Sequence, residues 1–61
     1  MNHHTTTYGI SVLRVENGRD TDLLRYRAVT DFRDIDDVCT ELRRDFSHRP
    51  DVRIDIQTHR H

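Results

Sequence analysis

The side chains capable of chemistry in this sequence are five histidines, one cysteine, eleven carboxylates and ten arginines, with no lysine. His59 and His61 fall on one side of an extended segment, His3 and His4 lie at the opposite end of the chain, and His48 stands apart. A structural zinc site needs about four convergent His, Cys or carboxylate ligands, and no recognised ligand spacing occurs. Metal-dependent assembly through the terminal histidines is the weakest expectation, and no metal or cofactor is expected. Cys39 occupies an apolar helical position, where a small hydrophobe is the ordinary role.

The acids Asp34, Asp36, Asp37, Glu41 and Asp45 follow the exposed surface of a helix. Acid–base catalysis by paired carboxylates requires two acids in different, partly enclosed environments. These look solvated instead, placed for the helix dipole and for pairs such as Glu41 with Arg44. They alternatively form a recognition strip for an Arg- or Lys-rich partner. No Ser-His-Asp, Cys-His or glycine-rich phosphate pattern is present, and Gly9 and Gly18 are the only glycines. Without lysine, Schiff-base chemistry is excluded. A core this small leaves little room for a pocket of roughly 300 Å³. No catalytic residues, and no enzyme, are expected.

The arginines divide by position. Arg25 and Arg27 share the outward parity of one strand, Arg53 is expected on the same face from another, and Arg14 lies nearby. Such a face suggests nucleic-acid binding, as a dimer. Single-strand recognition also wants exposed stacking aromatics and a basic excess. Here Tyr8 and Tyr26 are assigned to the core, Phe32 and Phe46 to the helix, and Asp20, Asp22 and Asp55 interrupt the positive field. Nucleic acid is therefore the alternative reading.

Four apolar residues carry the preferred one. Leu13, Val15, Leu23 and Val29 do not belong to the helix-facing set, and three of them cluster near a hairpin tip. Contiguous exposed apolar surface is a mark of partners. The expected contact set is Leu13, Val15, Leu23 and Val29, with Arg25 and Arg27 as an orienting rim. The expected function is a small protein-binding adaptor, regulator or inhibitor acting through the outer sheet face or an edge strand, as a homodimer or on another protein.

The elements that must position these residues are legible along the chain. Residues 1–7 are polar and expected to be flexible. Tyr8, Ile10 and Val12 alternate, then Leu13 and Val15 carry apolar character on the other parity, which suggests a bulge in a strand over about 8–16. Asn17-Gly18 is a turn signal. A second strand follows over about 22–30, with Leu24, Tyr26 and Ala28 expected to face the core. A bare two-residue turn would set Ile10 opposite Arg25. The hydrophobic pattern prefers Tyr8 opposite Ala28, Ile10 opposite Tyr26 and Val12 opposite Leu24, so an odd-length loop or a bulge is expected.

Phe32, Ile35, Val38, Cys39, Leu42 and Phe46 recur at three- and four-residue intervals and predict a helix over about 32–46. Asp31 or Asp34 caps its start, and Ser47-His48-Arg49-Pro50 ends it. Val52, Ile54, Ile56 and Thr58 alternate with Arg53, Asp55 and Gln57 in a third strand over about 52–58, before a flexible tail, 59–61.

The result is one α+β domain over residues 8–58, in the order β-β-α-β. One helix covers one face of a three-stranded, mostly antiparallel sheet, with strand order 2-1-3 preferred. Composition agrees. The chain has 61 residues and a formal net charge of −1, and 15 residues are Leu, Ile, Val or Phe, enough for a small core. No apolar run approaches the ~18 residues of a membrane span, and no signal-peptide core follows Met1. One cysteine excludes an internal disulfide framework. A cytoplasmic protein is expected, and the Arg and Asp bias fits a GC-rich bacterial or phage genome.

Overall fold

The computed structural model describes residues 5–60. They form β1 (Thr6–Glu16), β2 (Arg19–Val29), α1 (Asp34–Asp45) and β3 (Val52–Arg60). The three strands make one antiparallel sheet in the order β2-β1-β3, with the helix on one face. This is the expected β-β-α-β arrangement. Thr6 pairs with Arg60 and Thr7 with His59, so both strands run further toward the chain ends than the alternation indicated. Thr6, Thr7, His59 and Arg60 are thus sheet residues, each steadied by the other strand. Residues His3, His4 and His61 lie outside the described residues.

The hairpin reconciles two competing registers. Asn17 and Gly18 adopt positive φ, 56° and 77°, as a tight two-residue hairpin turn requires. Pairing therefore starts as the turn dictates, with Glu16 opposite Arg19 and Val15 opposite Asp20. Thr21 is then passed over, and Arg14 pairs with Asp22 and Leu13 with Leu23. Leu24 is passed over next, so that Leu24 and Arg25 together oppose Val12. Two bulges have shifted the register by two residues. In the body of the hairpin Ile10 faces Arg27 and Tyr8 faces Val29, one step beyond the register that hydrophobic matching favoured. The Thr21 hydroxyl donates to the Arg14 carbonyl and holds the first bulge.

That extra step exchanges the faces of β2, because side chains alternate strictly along a strand. Arg25, Arg27 and Val29 point to the helix side, while Tyr26 and Ala28 point away from it. The expected assignment of β2 is therefore reversed over this stretch, and Leu24 alone keeps its helix-facing place, through the bulge.

The helix starts two residues later than its periodicity suggests. The Asp31 carboxylate accepts the Arg33 N–H at 2.9 Å, and the Asp31 and Phe32 carbonyls accept from Asp34 and Ile35. These bonds make a turn ahead of the helix and place Phe32 outside the packed stripe. The helix itself starts after Arg33 with no side-chain cap, so neither Asp31 nor Asp34 caps it as expected. Phe32 is 66% exposed, contrary to its expected core role. At the other end, Phe46, Ser47 and Arg49 donate N–H bonds back to Leu42, Arg44 and Phe46, closing the helix before Pro50.

Ile10, Val12, Val38, Cys39 and Leu42 are buried, and Leu24, Val29, Ile35, Phe46, Val52 and Ile54 pack around them. The helix lies over β1 and β2. Twelve helical residues span about 18 Å, whereas an eleven-residue strand spans about 36 Å. One helix therefore covers only about half the length of the hairpin. The radius of gyration, 13.2 Å, exceeds the ~10.5 Å of a compact chain of this length. Much of the sheet is left without cover.

Candidate functional site

On the face without the helix, β1 contributes Gly9, Ser11, Leu13 and Val15, and β2 contributes Leu23, Tyr26 and Ala28. Leu13 and Leu23 are direct cross-strand partners, and Val15 adjoins Leu13 on the same strand face. Leu23 is 59% exposed and Tyr26 47%. The Tyr26 ring lies across Gly9: a Cβ at that glycine would sit 2.6 Å from the phenolic oxygen and 2.9 Å from Cε2. Gly9 thus provides the flat backbone on which the ring rests. An apolar row runs from the hairpin tip through Leu13 and Leu23 to Tyr26.

An ion pair crosses the row near the hairpin tip, from β3 over Leu13 and Val15 of β1 to β2. Arg53 donates to Asp20 through both Nε and Nη2, and Nη1 reaches Asp55 at 3.5 Å. Gln57 donates to the other oxygen of Asp55 at 3.3 Å. The hydrogen bonds and charge of Asp20 raise the Arg53 pKa further above its already high value. The guanidinium is held in place across the sheet, from the third strand to the hairpin tip.

Of the residues expected at the site, Leu13, Val15 and Leu23 come together on the open face. Val29 does not, since it packs against the core from the helix side. Arg25 and Arg27 also turn to the helix. Arg25 Nη1 lies 2.7 Å from Asp45 Oδ2, and the guanidinium sits 5.1 Å from the Phe46 ring centroid. Arg27 Nη1 lies 3.6 Å from Glu41 Oε1. Their methylene stems cover the flank of the helix while the charged heads stay wet. Tyr26 is the open-face residue that parity reasoning missed. The signal was Gly9, a strand glycine able to receive a ring.

The four arginines of the alternative reading do not share a surface. Arg53 is on the open face, and Arg14 has the helix-side parity of Val12, as Arg25 and Arg27 do. Arg14 lies within 4 Å of Asp22, Asp51 and Glu16, so each of the four has an acidic neighbour. Of the helix acids, Glu41 and Asp45 serve these strand arginines. Among the described residues no cluster of His, Cys, Asp or Glu is arranged to hold a metal. No helix among them is long and apolar enough to cross a membrane. Comparison with protein-family models, curated proteins and solved structures finds no match.

Proposed function

We propose that this chain is a small, non-enzymatic protein-binding module, an adaptor, regulator or inhibitor, whose open sheet face docks on another protein. The observation that carries the reading is the row Leu13, Val15, Leu23 and Tyr26, which lies on the face opposite the helix. Apolar side chains interleaved with a fixed ion pair, here Arg53 with Asp20, suit a protein interface, where aromatics anchor and polar groups orient. Tyr26 supplies an amphipathic anchor of the kind enriched at such contacts. A cytoplasmic setting fits a chain whose single cysteine, Cys39, is buried and unpaired.

The test is affinity capture from the native host followed by hydrogen-exchange footprinting of the captured complex. Protection is expected at Leu13, Leu23 and Tyr26, with loss of capture in Leu23→Asp and unchanged helical circular dichroism. Capture that survives Leu23→Asp, with protection confined to the helix, overturns the reading. Nucleic-acid binding through Arg25 and Arg27 predicts a salt-sensitive mobility shift. With both side chains committed to helix acids, no shift is expected at low salt.

A further inference from the structure

We propose that β3 pairs with β3 of a second copy, antiparallel and with Ile54 opposite Ile54, joining two three-stranded sheets into one with both helices on the same side. The contact uses an edge separate from the open-face row, so it goes beyond the function proposed above.

Among the described residues both outer strands have a free edge, but only β3 is regular. β2 carries two bulges, a common device for blunting an edge, whereas β3 pairs with β1 without interruption from Val52 to Arg60. The Val15 N–H donates to the Asp51 carbonyl and continues that ladder by one step. Antiparallel ladders alternate, so Arg53, Asp55 and Gln57 direct their main-chain groups to β1. Val52, Ile54, Ile56 and Thr58 then direct theirs outward, ready for another strand.

The side chains of those outward-bonding residues are also undercovered. Ile56 is 49% exposed, and Val52 and Ile54 line an open groove of about 310 Å³ with Arg43 and Phe46 of the helix. A strand laid alongside would cover the flank of this apolar row.

Charge and parity select the occupant and its register. Two copies with helices on one side must pair like faces, so the twofold axis passes through a residue. An axis at Asp55 sets Asp55 against itself, and like charges directly opposite are destabilising. An axis at Ile56 leaves Ile54 opposite Thr58 and Arg53 opposite His59. An axis at Ile54 sets Val52 opposite Ile56 on the helix side and Arg53 opposite Asp55 on the open side, each twice. Arg53 then keeps Nε and Nη2 on Asp20 and turns Nη1 from its own Asp55 to that of the second copy. Val52, Ile54 and Ile56 then exchange main-chain hydrogen bonds across the axis, and the pairing stops at Pro50, which has no N–H to give.

Sedimentation equilibrium of the full chain, from micromolar to millimolar concentration, tests the proposal. Wild type is expected to approach twice the monomer mass. Ile56→Pro removes only an outward N–H and is expected to stay monomeric with its helical signal intact. Asp55→Arg and Arg53→Asp each create two like-charge pairs and are expected to self-associate about tenfold more weakly. Mixed together, these two variants restore complementarity and should form a heterodimer. A monomeric wild type at every concentration overturns the proposal. So does a dimer dissolved by Leu23→Asp and indifferent to Ile56→Pro, since the open face would then be the self-contact. If Ile56→Pro fails to fold, the mixing experiment decides alone.

Discussion

β2 and β3 flank the same central strand, yet β2 leaves its regular path at Thr21 and again at Leu24, whereas β3 follows β1 residue for residue. The difference comes from how each strand is delivered. β2 enters through a two-residue turn that dictates its first pairs, and two bulges then move the register on by two residues. The first step exchanges the faces of β2 and the second restores them, so Leu23 alone takes the open face and Leu24 the helix face between the two bulged stretches. β3 arrives from α1 through a longer connection, and its own hydrophobic alternation sets the register. The strand tied to a tight turn thus ends with a broken edge and a helix over it. The strand without that constraint ends with a straight edge and an uncovered flank.

The largest perturbation removes what distinguishes the two sides. Leu42→Ala empties the centre of the helix contact and is expected to cost about 2–5 kcal/mol. In so small a domain that should abolish cooperative thermal unfolding, read by circular dichroism. Retention of a sharp transition would mean that the helix is not what secures β1 and β2.

Next in size is the close contact at the centre of the sheet. Gly9→Ala pushes a methyl group into the far end of the half-exposed Tyr26 ring, and a loss of about 0.5–1.5 kcal/mol is expected as the ring leaves its rotamer. In a Tyr26→Ala background the same change should cost much less. Equal costs in both backgrounds would remove the ring from its place over Gly9.

A comparable effect is expected at the covered edge. Arg25→Ala loses an exposed ion pair with Asp45 and stacking on Phe46, together about 1 kcal/mol. A double-mutant cycle with Asp45→Ala should show coupling that fades as salt rises. No coupling at low salt would show the exposed pair to be without effect on folding.

The smallest effect lies at the entry to β3. Hydrogen bonds from Arg49 hold the Asp51 pKa below its usual value, and Arg33 does the same for Asp31. A lowered folded-state pKa stabilises the fold above the unfolded value near 4, and that stability is lost as pH falls through the folded pKa. Arg49→Ala should therefore move the acid-unfolding midpoint slightly upward. Both carboxylates are exposed, so the shift is expected to be small, and an unchanged midpoint would show the pair to be without effect on folding.

Three of the four residues in the open-face row were legible before the fold was known. Leu13, Val15 and Leu23 fell outside any helix-facing pattern, and a change of phase in β1 marked the place. Val29, Arg25 and Arg27 were misassigned for one reason. Parity was carried along β2 from an expected register, and the true register differs by a single residue beyond Leu24. Phe32 misled in another way: its spacing fits the helix stripe, but a turn held by Asp31 ends the stripe before it.

The amino-acid order alone determined which segments become strands or helix, where the chain turns and where the helix stops. These outcomes rest on local causes: alternation at period two, recurrence at three and four, positive φ at Asn17 and Gly18, and the missing N–H of Pro50. Only the tertiary structure decided where β2 takes its two bulges, and so which face each of its side chains meets. A one-residue register change inverts every side chain beyond it. The contacts that settle it, Arg25 with Asp45 and Phe46, Arg27 with Glu41, and Tyr26 on Gly9, join residues distant in the chain.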